Sequence, residues 1–495
     1  MELEPTQKNR ALPDEPSKPK HKQQIMKIKF LQLSLMSVLS VAAVAQNPGE
    51  KKPEIKYRRS SLHMIMLDDA GLIKANIIKD AFTKAPMPDK YNDHSLKEKS
   101  FVPSKYALTA EEKAAVGSKA DSKGKAMMKG IANNATGGLV DTTNTKETPA
   151  MIEKYLKQNN VARDMVAKWF NRDASGAFNM DLIGSRGSYD ASALQVNKAK
   201  GSARGMASIA DAGVELIGNT FVVATRFNYV SKKEIYEAAQ KAKQASSGAT
   251  STLGGKLKAK AGVNVSTNVP SNPALEAAKA EALKKLTEGY IVQCTSYLYQ
   301  LVWNDSVEAV FYNDLWMDAS SIDPKKKEAF DKTNLFTFKL IGDGKATANV
   351  PMSLKKKRSD DELVAIATNK ATDAVIAKLQ RQYEVFKTKV PLYSGDPLTA
   401  KIGLKEGLEA GDKFEVLEQE LDEKTGRTKY VRKGKIKVMG DQIWDNRFNL
   451  GEEDLMEPVA VDTTKGAAPP KPPVDKTFFK GGKKFYAGML IRQIK

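Results

Sequence analysis

Catalysis and metal binding need nucleophiles, acids, bases or ligands at defined spacings, and this chain offers few of them. Its histidines are His21, His63 and His94, and its one cysteine is Cys294. His63, His94 and the pair Asp68-Asp69 are residue types that bind metals, but no HExxH, CxxC or calcium-loop spacing joins them, so no metal site and no cofactor is expected. Asp360-Asp361 could act as paired carboxylic acids. They stand before a long helical pattern, however, where an N-cap role favoured by the helix dipole is the simpler expectation. Gly184-Ser-Arg-Gly187 lacks both the Gly-x-Ser-x-Gly elbow and the Walker lysine, which leaves a turn whose backbone N–H groups could hold an anion. Lys355, Lys356, Lys357 and Arg358 form a basic cluster, read as a solvated turn or as a contact for an anionic partner. The aromatics Tyr290, Tyr297, Tyr299, Trp303, Phe311, Tyr312 and Trp316 could line a sugar-binding face, but their mixed odd and even positions point to core and partly buried interface. Cys294 lies in the apolar run Tyr290–Tyr299 with no histidine near it, as a buried structural thiol would. No catalytic constellation emerges, so an enzyme is not expected, and the sequence names no substrate.

Composition and a leader-like segment bound the setting. The 495 residues carry a net charge of +20. Residues 26–45 read as a secretory signal peptide: Lys27 and Lys29 precede an apolar core from Phe30 to Val41, and Ala43-Val44-Ala45 supplies a small-x-small cleavage site. Residues 1–25 are polar and rich in proline and lysine, and are expected to be a misassigned extension. The first 45 residues hold seven Lys/Arg and four Asp/Glu, which leaves +17 beyond them. Such a charge in a cytosolic protein would suggest nucleic acid. Export instead favours anionic glycan, lipopolysaccharide or an acidic protein partner, and no nucleic acid. Beyond Gln46 no apolar run reaches about 18 residues, so no transmembrane segment is expected after cleavage. A single cysteine excludes an intrachain disulfide, and a core of this size does not require one.

A chain this long should divide into several units around separate cores. The expected divisions are an N-terminal segment 46–108, a low-complexity linker 109–149, an α/β domain 150–345 with an inserted loop 240–275, a long helix 360–390, a small β-barrel 391–450, and a Pro-rich linker with a terminal strand 451–495. Ser61–Leu67 reads as a buried strand, Leu72–Phe82 as a helix, Met151–Phe170 as one amphipathic helix and Phe178–Ile183 as an alternating strand. Thr220–Val230 is the clearest strand, and Gly289–Trp303 with Val307–Trp316 read as an antiparallel pair. Leu363–Phe386 reads as a long helix stopped by Pro391, and the short strands that follow suggest a barrel. The fold class expected is therefore multidomain α+β: a central α/β layer with a mixed sheet, a long helix, then a small C-terminal SH3-like β-barrel.

The run Leu398–Leu417 has glycines at Gly403, Gly407 and Gly411 and Asp412 in a turn, and Gly434-Lys-Ile-Lys-Val438 follows it. Together they resemble the C-terminal barrel of flagellar-assembly and curli-assembly envelope proteins over about 60 residues. The segment Asp211–Ile217 before the Thr220 strand looks loosely like the middle domain of the same group. The resemblance implies an envelope scaffold without an activity of its own. The expectation is an exported, non-enzymatic scaffold or adaptor of a Gram-negative cell envelope, periplasmic, outer-membrane-associated or secreted, with an envelope protein partner. The alternative is a module that binds envelope glycan or another anionic polymer.

Overall fold

The computed structural model describes residues 58–117, 146–189, 215–233, 236–237, 290–349, 358–421, 428–446 and 474–494. The chain opens with strand β1 (Ser61–Leu67), whose seven residues are all buried because helices cover both faces of the sheet. Helix α1 (Ala75–Lys84) follows, then the short strands β2 (Asn92–Asp93) and β3 (Ser100–Phe101). Helices α2 (Ala110–Gly117), α3 (Thr148–Gln158), α4 (Val161–Trp169) and α5 (Asp181–Tyr189) come next. Then come β4 (Thr220–Ser231), β5 (Tyr290–Leu301), α6 (Asp305–Val310), α7 (Pro324–Lys332), β6 (Phe338–Asn349) and the 23-residue α8 (Asp360–Gln382).

These strands form a mixed sheet in the order β2-β1-β4-β5-β6, with β2 and β3 in series on the outer edge of β1. β1 and β4 are parallel from Ser61↔Thr220 to Leu67↔Arg226, and a parallel pair needs a long crossover, which helices α1 to α5 lie within. β4 to β5 and β5 to β6 are antiparallel. Period-2 alternation sorts the side chains. Leu62, Met64, Phe221, Val223, Cys294 and Leu298 pack beneath α1 and α8. Ile65, Leu67, Val222, Ala224, Tyr297 and Tyr299 pack beneath α3 and α4. A third cluster at the sheet's end gathers Trp169, Phe170, Phe178, Phe311, Phe330 and Phe336.

The second sheet is built from β7 (Val390–Pro391), β8 (Ser394–Gly395), β9 (Leu398–Ala400), β10 (Lys413–Leu421), β11 (Thr428–Val438), β12 (Thr477–Lys480) and β13 (Leu490–Ile494). Its order is β7-β13-β10-β11-β12-β9-β8, all antiparallel, curled into a half-barrel over Phe414, Val416, Ile436, Val438, Phe479 and Ile491. The chain is thus α+β, with one mixed and one antiparallel sheet. Among the described residues no helix is long and apolar enough to cross a membrane.

Several local expectations are corrected. Met151–Phe170 is two helices, because Asn160 adopts a left-handed φ of 51° between α3 and α4. Phe178–Ile183 is not a strand: the Asn179 side chain accepts from the Asp181 amide and opens α5, so Gly184–Gly187 is helical rather than a turn. Val307–Trp316 is not a strand either. Asn304 caps α6 by accepting from the Val307 amide, and Val307, Phe311 and Leu315 recur every four residues as a buried helical stripe. The N-cap of α8 is Ser359, not Asp360: its hydroxyl accepts from the Glu362 amide and Glu362 accepts from the Ser359 amide. The helix ends at Gln382, ahead of Pro391, where Tyr383 turns extended and its hydroxyl donates to the Asp343 carbonyl at 2.8 Å. Strand β11 is bulged opposite Val416/Leu417. The leader-like segment 26–45, the inserted loop 240–275 and residues 451–473 of the Pro-rich linker lie outside the described residues.

Candidate functional site

The structure first disperses the expected chemistry. His94 is fully buried, stacked on Trp169 with centroids 4.8 Å apart, and its two ring nitrogens lie 3.0 Å from the Met165 carbonyl and 3.1 Å from Arg186. Arginine only donates, so Nδ1 accepts from Arg186 and Nε2–H donates to Met165. Burial, then the Arg186, Lys168 and His63 neighbours, push His94 down to about 3, with the Met165 carbonyl opposing. His63 accepts from the Leu96 amide and is held at about 4, chiefly by burial. Asp69 is clamped bidentately by Arg226 at 2.7 and 2.8 Å, and Asp68 pairs with Lys79 at 3.1 Å. Among the described residues no group of three or more His, Cys, Asp or Glu could hold a metal.

Cys294 is buried as expected, donates to the Ala371 carbonyl at 3.1 Å, and burial pushes its thiol up to about 12. Asp360 and Asp361 share the Lys74 ammonium at 2.5 and 2.6 Å. Tyr297 and Tyr299 are buried under α3 and α4, while Trp303, Phe311, Tyr312 and Trp316 belong to the end cluster, so these aromatics are core. Lys355, Lys356 and Lys357 lie outside the described residues. Arg358, which leads into α8, is only 7 % exposed, so the solvated cluster expected there does not hold at that position.

What the fold assembles instead is a cleft of about 340 Å³ between the two sheets. Its walls come from distant parts of the chain. Arg59 and Ser60 precede β1, Lys90 precedes β2, and Glu215 and Asn219 lead into β4. The connector from α8 to the second sheet gives Glu384, Val385, Lys387, Thr388 and Lys389, and β13 gives Arg492. The connector is held in place by Phe386, which is buried and stacks on Tyr91 with centroids 4.9 Å apart. The Tyr91 hydroxyl donates to the Phe386 carbonyl at 2.9 Å and accepts from Gln380 of α8, also at 2.9 Å.

Five cations and two carboxylates line the cleft, a net formal charge of +3. Each carboxylate is fixed from two sides. Glu384 pairs with Lys387 at 2.8 Å and Arg492 at 3.1 Å. Glu215 meets Lys389 at 3.7 Å and accepts from the Tyr430 hydroxyl of β11 at 3.2 Å. The Lys389 ammonium also sits 4.0 Å over the Tyr430 ring. Its ammonium is nonetheless easier to deprotonate than usual: burial is the largest cause, Arg492 and Arg59 add to it, and Glu215 opposes. Arg59 and Lys387 are also buried, at 7 and 8 % exposure. The cleft therefore holds a partly desolvated excess of positive charge, which an entering anion would relieve.

Sequence reasoning missed this site. Its residues span positions 59 to 492 with no common motif, and the sole local signal is the alternating pair Lys387 and Lys389 just past a helix end. Comparison with family models, with curated proteins and with solved structures finds no match to this chain.

Proposed function

We propose that this chain is an exported, non-enzymatic scaffold of the cell envelope that binds an anionic ligand in the cleft between its two sheets. The observation that carries the proposal is the excess of three positive charges in a partly dehydrated cavity of about 340 Å³, the size range of small-molecule sites. The leader-like residues 26–45 support export. The likeness of 398–438 to flagellar-assembly and curli-assembly barrels supports the envelope role. Gly407 and Gly411, at φ of 72° and 86° in the turns before β10, support reading the curled sheet as an SH3-like barrel. Of the two expectations from sequence, scaffold and anion-binding module, the cleft favours the second as the scaffold's means of attachment.

Isothermal titration of the purified chain with citrate at low salt is the test. Binding should weaken as salt rises and fall at least tenfold in Lys389→Met. A triple Lys355→Ala, Lys356→Ala, Lys357→Ala variant should bind as the parent does. Loss of binding in the triple variant alone would move the site away from the cleft, and no binding by the parent would overturn the proposal.

A further inference from the structure

We infer that the ligand of the cleft is an acidic sugar: a monosaccharide-sized, polyhydroxylated ring bearing one carboxylate or phosphate group. This rests on the reading of the cleft as an anion site and narrows it. Small-molecule sites are usually walled by apolar and aromatic side chains with few polar groups among them. Here Val385 is the one apolar residue among eleven, and the rest of the apolar wall is the aliphatic stems of lysine and arginine, so the wall suits a ligand that carries polar groups around a small apolar-faced ring.

Glu215 and Glu384 also stand in the wall. A site evolved only for an anion is weakened by carboxylates, since like charges repel at short range. Both instead keep partners in the cleft, the exposed Glu384 with Lys387 and Arg492, the half-buried Glu215 with Lys389 and Tyr430. An ionised carboxylate accepts hydrogen bonds and donates none, and it offers about four lone-pair positions. Fixed carboxylates in a cationic cleft therefore suit a ligand that brings both hydroxyl donors and a negative group. Ser60, Thr388 and Asn219 add neutral groups that donate and accept. The ligand's acidic group is assigned to the Arg59, Lys90 and Lys389 side of the balance, and its hydroxyls to the carboxylates. A net charge of +3 is matched by one carboxylate or one phosphate without reversing sign.

A hydrogen bond to a charged group changes affinity roughly tenfold or more, which sets the scale of the test. Isothermal titration of the purified chain is run with glucuronate, glucose 6-phosphate, glucose, succinate and inorganic phosphate. At least one of the first two should bind ten or more times tighter than glucose, succinate and inorganic phosphate, and the better of the two identifies the acidic group. Succinate or inorganic phosphate binding equally well would overturn the sugar and leave the anion site standing. Glucose binding equally well would overturn the acidic group, and no binding by any anion would overturn both readings. Glu384→Gln preserves shape and separates them further. The acidic sugar should lose at least fivefold in affinity while inorganic phosphate gains or holds, with the thermal midpoint as a check on folding. A parallel gain for both ligands would refute the assignment of hydroxyls to Glu384.

Discussion

Acid should destabilise this fold through His94 before any surface carboxylate titrates. The ring is fully buried against Trp169, with Arg186 donating to Nδ1 and Nε2–H donating to Met165. Burial disfavours a charged ring, and protonating Nδ1 would also break the Arg186 bond and set two cations 3.1 Å apart, so the folded value falls to about 3. A depressed histidine contributes stability that is complete above the unfolded value of 6.5 and lost as pH falls toward 3. Between pH 7.5 and pH 5 the unfolded chain takes up this proton and the folded chain does not, a loss of about 2 kcal/mol. His63, held at about 4, adds a similar loss of about 2 kcal/mol over the same interval. Asp373, raised to about 6, returns about 1 kcal/mol as it protonates in the fold. The net of roughly 3 kcal/mol is a large part of a typical stability of about 5–15 kcal/mol. Urea unfolding at pH 7.5, 6 and 5 reads it directly. His94→Gln keeps a donor for Met165 and an acceptor for Arg186 but cannot titrate, so its unfolding free energy should fall by about 2 kcal/mol less across that range. Parent and variant with the same pH slope would refute the argument.

Three further outcomes are expected. Asp373 on α8 is raised chiefly by burial, with Lys405 opposing and Glu406 and Asp89 adding, so its protonated form stabilises the fold below about 3.8 and that stability is lost as pH rises through about 6. Asp373→Asn should then gain about 1–3 kcal/mol at pH 7.5 by urea unfolding, and that gain should shrink to near zero at pH 4, where the parent's carboxyl is already neutral in the fold. At Gly342, φ is +156° and a Cβ would meet the Tyr383 ring, so Gly342→Ala should cost about 2 kcal/mol or more in thermal unfolding, whereas Tyr383→Phe, which loses only the hydroxyl bond to Asp343, should cost about 1 kcal/mol. Cys294 should resist thiol reagents in the native chain and react fully in urea, because its thiol is buried and held near 12; rapid native labelling would contradict that burial.

The amino-acid sequence by itself determined the elements whose cores are local in period. The all-buried run Ser61–Leu67, the strand from Thr220 and the long helix before residue 383 were legible because burial on two faces or on one stripe leaves a repeating apolar pattern. The glycine-marked turns of the second sheet were legible for a similar reason, since left-handed φ at Gly407 and Gly411 restricts the residue type. Val307–Trp316 misled because aromatic content suggested a strand where a capping asparagine and a four-residue stripe made a helix. Only the tertiary structure decided the cleft. Its charges come from before β1, β2 and β4, from the connector after α8 and from the final strand, and none is distinctive among 79 lysines and arginines. Charge carries no periodicity, so whether a lysine faces water or a half-buried cavity is set by where the two sheets meet, and that meeting is settled by the cores packed around Phe386 and Tyr91.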